Sequence, residues 1–170
     1  MQVVKNTFII LLSALIAFLI FMPKKELYYT IEHQLVKLGI KLNEKDITET
    51  VSDLQIDGMK VYYEGIGLMD VDSSSLTTFV FYNKINLHKI AVASSLKSML
   101  PQNIDNISIT YSVFSPKKAN IHANGDFGEV DGYIDFNRTI HLDFVKIGDI
   151  KKFKRELKKN ENGWYYENKF

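Results

Sequence analysis

Apolar and polar positions fall into three regimes along this chain. From Asn6 to Met22 the run NTFIILLSALIAFLIFM carries no charged residue before Pro23, Lys24 and Lys25 end it. At ~1.5 Å per residue it makes about 26 Å of helix, just short of a ~30 Å hydrocarbon core, and predicts a span aided by snorkelling lysines. No small-x-small pair follows the apolar core, so an uncleaved anchor is expected rather than a signal peptide. Next, Leu27, Ile31, Leu35 and Leu38 recur at helical spacing and predict a stalk helix ending near Gly39. From Val51 the period becomes two. Leu54 and Ile56 alternate, then Met59, Val61 and Tyr63, with a one-residue slip at Asp57-Gly58 that means a hairpin turn or a bulge.

Further strands are expected at Thr77 to Tyr82 and Ile85 to Val92, with Ser73, Ser74 and Ser75 as a loop and a short helix from Ser94 to Leu100 stopped by Pro101. From Ile107 to Val145 four strands alternate around Pro116-Lys117-Lys118, the glycines near Gly125 and Gly128, and Asn137-Arg138. An open meander has edges that must be paired or covered. A helix over Asp149 to Lys159, with Ile150, Phe153 and Leu157 on one stripe, is the expected cover for one edge, and Trp164 to Tyr166 reads as a last short strand. The fold class is therefore α+β, mainly an antiparallel β meander with an N-terminal transmembrane helix and a few short amphipathic helices. The chain divides into a cytoplasmic leader over 1–5, a transmembrane signal anchor over 6–22, a helical stalk and linker over 23–50, and a β-rich domain over 51–170.

Charge refines the placement. Lys5 precedes the anchor and Lys24 and Lys25 follow it, nearly a tie, but the short leader resembles a signal anchor with the bulk domain outside. The expectation is a single-pass protein of a bacterial inner membrane, its domain periplasmic. With 21 Lys and Arg against 20 Asp and Glu the chain is near neutral, which removes the electrostatic argument for nucleic acid. The absence of cysteine excludes thiol catalysis, cysteine zinc sites and a disulfide framework.

Candidate chemistry is sparse. Asp126-Phe127-Gly128 spells a kinase DFG without the other kinase motifs, and Asp126, Glu129, Asp131 and Asp135 lack calcium-loop spacing. His33, His88, His122 and His141 lie on different elements. His141 and Asp143 share a strand face but need a third group to make a metal or acid-base site. No catalytic residue, metal ligand or cofactor site is assigned, and a non-enzyme is expected. Three other sets stand out. Lys151, Lys152, Lys154, Arg155, Lys158 and Lys159 concentrate positive charge suited to lipid headgroups or a solvated face. Trp164, Tyr165, Tyr166 and Phe170 suit partner docking or core closure. Asn137-Arg138-Thr139 and Asn106-Ile107-Ser108 match the N-x-S/T glycosylation acceptor, and Asp135 extends the first to DFNRT, as in bacteria with periplasmic N-glycosylation.

The order of these features, with LQIDGMKVYYEGIGLMDVD, then NKINLHKIAVASSLKSMLP, then ANGDFGEVDGYIDFNRTIHLDF, resembles the AsmA-like and type II secretion protein N-like membrane-anchored periplasmic proteins over Leu54 to Phe144. The resemblance implies repeated antiparallel strands and either lipid handling or membership of an envelope machine, with no site residue to transfer. Two functions are expected on these grounds. One is a scaffold or adaptor in an envelope-spanning machine of secretion-system or flagellar-motor type, with the inner membrane and other machine proteins as partners. The alternative is a lipid-binding or lipid-transfer protein of AsmA-like type, with phospholipid as partner. They differ in one respect: lipid handling requires part of the apolar sheet face to stay uncovered, whereas a scaffold should bury it.

Overall fold

Two-residue periodicity carried almost without interruption from Ile40 to Lys169 can satisfy its backbone groups only by pairing neighbours in order, and it does. The structure, a computed structural model, describes residues 2–21, 23–79, 81–96, 100–151 and 153–169. Helices α1 (Gln2–Phe21) and α2 (Lys24–Lys37) precede eleven strands: β1 (Ile40–Asn43), β2 (Asp46–Glu49), β3 (Asp53–Tyr63), β4 (Ile66–Phe79), β5 (Tyr82–Val92), β6 (Asn103–Ser112), β7 (Lys118–Gly125), β8 (Gly128–Asp135), β9 (Thr139–Ile147), β10 (Lys158–Asn160) and β11 (Gly163–Lys169). They form one antiparallel sheet in which β3 to β9 follow chain order, β1 and β2 share the outer edge of β3, and β11 then β10 close the other side.

The turn at Glu64-Gly65 explains one hairpin. Both residues have positive φ, 48° and 83°, as a two-residue turn matching strand twist requires.

The slip at Asp57-Gly58 is a change of facing phase inside β3 with the β3–β4 register unbroken, the shift of that pair falling between Val61 and Tyr62, and it is one of a row. Gly58 lies between the pairs Asp57↔Ser73 and Met59↔Val71, which places it opposite Asp72. Asp72 in turn lies opposite Lys89, and Lys89 opposite Asp105, where the β6–β7 register shifts. At each position the inward phase moves by one residue. Leu54 and Ile56 give way to Met59, Ser74 to Val71, Leu87 to Ile90, and Ile107 to Ile104, so one face of the sheet stays apolar on both sides of the crease. Only at Asp105 does the row also shift the pairing register, between Ile104 and Asn106, a bulge that bends and twists the strands that carry it. The backbone shows the cost: Gly58 has φ +62° and Lys89, not a glycine, φ +50°. The Lys89 ammonium and the Asp72 carboxylate meet across the crease at 3.4 Å, both exposed.

Tyr28, Leu54, Ile56, Met59, Val71 and Ile90 form one buried cluster and Ala123, Phe127 and Val130 another, with Ile104 and Ile107 packed against both. Tyr28 fastens α2 to the first. Its hydroxyl donates to Glu44, and burial followed by that carboxylate pushes the phenol well above its ordinary value, so it stays a donor. Lys24, buried beside it, donates its backbone N–H to Glu49 and its ammonium to the Thr50 carbonyl.

Several expectations are corrected. The transmembrane helix over 6–22 is overturned: residues 6–21 fold within α1 and Met22 lies outside the described residues, but among the described residues no helix is long and apolar enough to cross a membrane. Among the described residues of α1, Lys5, Asn6, Thr7 and Ser13 lower its apolar character. Helix α2 forms where the stalk was expected, but it buries Lys24 and Tyr28 and leaves Leu27, Ile31 and Leu38 of the apolar stripe exposed. The sheet begins at Ile40, inside the expected linker. Ser73 to Ser75 lie within β4, where buried Ser74 reaches the Ile56 carbonyl, because their neighbours β3 and β5 both offer a full ladder. The strand expected over Thr77 to Tyr82 is the end of β4, a turn and the start of β5. Ser94 to Leu96 is a single 3-10 turn, and residues 97–99 lie outside the described ones. The helix expected over Asp149 to Lys159 is instead a 3-10 turn, Lys154–Glu156, leading into β10.

Candidate functional site

Alternation along β6 to β11 sorts side chains onto two faces of opposite chemistry. On β9, Ile140, Leu142 and Phe144 point one way, and His141 and Asp143 the other. The first face forms an apolar groove of about 580 Å³, within the range of about 300–1,000 Å³ usual for ligand sites. Its floor runs from Ile107 and Ile109 on β6 through Ile121 on β7 and Ile134 on β8 to Ile140 on β9 and Tyr166 on β11. Five strands at ~4.8 Å spacing make it about 19 Å across. Small residues deepen the floor: Ala123 faces Val130 in register, and Gly132 lies between Ile121 and Leu142. At Gly132 a side chain has no room, since a Cβ there would meet the His141 carbonyl oxygen at 2.0 Å.

One wall is the segment that replaces the expected helix. Ile150 and Leu157 are buried, Phe153 stacks on Phe144 at 6.1 Å between centroids, and Phe144 meets Phe127 edge-on at 6.5 Å. The segment covers part of the floor only. Ile134, Ile140, Leu142 and Phe144 remain half-buried, so apolar surface stays open. Glu156 is the one charged residue lining the groove among the described residues.

Two of the candidate headgroup residues lie against this wall. Lys154 and Lys159 hold their ammonium groups 5.0 and 5.7 Å from the Trp164 ring, and Trp164 shares the groove face of β11 with Tyr166 by alternation. Lys151 and Arg155 are exposed. Lys158 belongs to the other face, 3.8 Å from Glu167 and over Tyr165. Lys152 lies outside the described residues. The docking candidates Trp164, Tyr165 and Tyr166 are half-buried within β11, paired to β9 or β10, rather than displayed on a free surface, and Phe170 lies outside the described residues.

The second face is polar. His141 receives the partner that sequence reasoning lacked: Glu167 on β11 meets Nδ1 at 3.0 Å while Asp143 meets Nε2 at 3.1 Å, and Tyr133 and Tyr165 stack on the ring at 5.5 and 5.4 Å. His122 sits 2.6 Å from Asp131 and 3.9 Å from Glu129, beside an open depression of about 300 Å³. Both histidines are thus held by carboxylates, and Ser108, the register partner of His122, lines the same depression with Thr110. Among the described residues no group of His, Asp and Glu is arranged to hold a metal ion. Asp126 is committed to the Asn103 backbone and side-chain amides at 3.1 Å, and Asp135 to Thr139. His33 on α2 and His88 on β5 are exposed and far apart in the fold.

Asn137 occupies the exposed β8–β9 turn. Asn106 lies inside β6, with β5 and β7 paired on its two sides.

Comparison with family models, with curated proteins and with solved structures finds no match to this chain, so its function is argued from the two faces of its sheet.

Proposed function

We propose that this protein binds the acyl chain of an anionic amphiphile in its groove and acts as a non-catalytic lipid-binding or lipid-transfer protein of the bacterial periplasm. The observation that carries the reading is the uncovered apolar sheet face over β6 to β11, the feature that separates lipid handling from scaffolding. A face of this kind left to water costs about 25 cal/mol per Å² of apolar surface, a cost that an acyl chain laid along it would remove. Lys154 and Lys159, held over Trp164 at the wall, supply charge of the sign that a phosphate or carboxylate headgroup needs, while the chain lies on Ile121, Ile134 and Leu142. The pattern-level resemblance to AsmA-like proteins points the same way. Helix α1, apolar and exposed on all sides over 4–17, supports work beside a lipid surface.

A second reading, a scaffold in an envelope-spanning machine, draws support from the exposed stripe Leu27, Ile31 and Leu38 on α2. The two separate in native mass spectrometry of the full chain after detergent removal. The lipid reading expects one anionic acyl lipid retained per protein. Protein recovered free of lipid, or bound to lipid without stoichiometry, removes it in favour of the scaffold.

A further inference from the structure

The chain carries two N-x-S/T acceptors, and the fold separates them sharply. Asn106 is interior to the sheet. It sits in β6 between His88 of β5 and Asn124 of β7, and its side-chain oxygen is buried without a hydrogen-bond partner. An enzyme that must grip the acceptor as an extended segment would have to unzip two strand pairs to reach it.

Asn137 is at a hairpin tip instead. Phe136, Asn137 and Arg138 are all exposed, Phe136 by 74%. The turn is held by few bonds: the Arg138 N–H donates to the Asp135 carbonyl at 3.1 Å, and the Thr139 N–H to the Asp135 carboxylate at 2.8 Å. Arg138 has φ +62°, a conformation that a non-glycine residue adopts at a cost, so the tip gains by opening. Exposed turns of this sort open locally without disturbing the ladders behind them. Asp135, two residues before the acceptor, is kept ionised, since the Thr139 N–H holds its carboxyl below the usual range. Its carboxylate also receives the Asn137 amide N–H at 3.5 Å.

We infer that Asn137, and not Asn106, is an N-glycosylation site. The donor is a polyprenyl-diphosphate-linked oligosaccharide used by a membrane oligosaccharyltransferase. The Asn137 Nδ2 forms a bond to the sugar C1 as the C1–oxygen bond to the diphosphate breaks. Polyprenyl diphosphate leaves with the electron pair, and one amide proton passes to a base of the enzyme. Nothing is oxidised or reduced. The site is independent of the groove, and a glycan there would place the β8–β9 hairpin outside the cytoplasm.

The test is mass spectrometry of peptides spanning 135–139 and 103–112 from the full chain purified from its native host. The expected result is an oligosaccharide mass on the Asn137 peptide and an unmodified Asn106 peptide. The glycan should be lost in Asn137→Gln and in Thr139→Val, and kept in Thr139→Ser and Asn106→Gln. Asn137→Gln should melt within the error of the parent protein with its glycan removed. An Asn137 peptide found only at its unmodified mass, or a glycan on Asn106, overturns the assignment.

Discussion

Replacing Ile134 and Ile140 together by aspartate is expected to empty the groove while leaving the sheet folded. The two residues are register partners on β8 and β9, both half-buried, and both line the floor. Because they are not fully buried, the new carboxylates can stay hydrated in the free protein, and the cost to folding, raised by two like charges directly opposite each other, should be about 2 kcal/mol. An acyl chain on the floor would strip that water, and burying an unpaired carboxylate costs several kcal/mol. At about 1.4 kcal/mol per tenfold, lipid retained in native mass spectrometry should fall by at least a hundredfold in affinity, with the melting temperature lowered by roughly 6 °C and a folded protein at working temperature. Equal retention in parent and variant would show that the bound lipid lies elsewhere, on α1 for example.

Gly132→Ala should be among the most damaging single changes in the β domain. Its Cβ would lie 2.0 Å from the His141 carbonyl oxygen and 2.8 Å from the Leu142 side chain, and the first of these is backbone that cannot turn aside. The β8–β9 ladder must separate, which costs about 3 kcal/mol and lowers the melting temperature by roughly 10 °C. Gly65→Asn supplies the contrast. Gly65 has φ +83° but nothing within 4 Å of its Cβ position, and asparagine tolerates such a turn, so the loss there should stay under about 1 kcal/mol. Thermal melts of the two variants separate steric closeness from backbone conformation. A Gly132→Ala protein as stable as the parent would mean that β8 and β9 are not paired as described.

Much of this sheet was legible because strand periodicity is local. The alternations of Ile107 to Val113, Ala119 to Gly125, Val130 to Phe136 and Ile140 to Phe144 place β6 to β9 correctly, whereas the slip at Asp57-Gly58 is a change of facing phase inside β3 and neither the hairpin turn nor the bulge that it suggests. What stayed hidden depends on neighbours. Ser73 to Ser75 look like a loop until β3 and β5 pair on both sides. The Asp149 to Lys159 stripe fits a helix, but Phe153 and Leu157 are used to wall the groove, and Lys158 and Lys159 are drawn into pairing with Tyr165 and Trp164. The crease needs four strands in register before its phase changes can be seen to align. The partners of His141 come from strands 8 and 26 residues away, Tyr133 and Glu167, and no spacing rule announces them. Apolar alternation gave the groove-lining residues but not the open surface, since coverage is a property of what packs on a face and not of the face itself.

The central claim is that one face of β6 to β11 carries lipid and the other does not, and adjacent positions on a strand test it directly. A photo-crosslinking amino acid is placed at Ile109, on the groove floor, or at Thr110, on the polar face beside it, in the full chain within native membranes. After irradiation the account predicts lipid adducts from position 109 and none from position 110. Adducts at both positions, at neither, or at position 110 alone would contradict it.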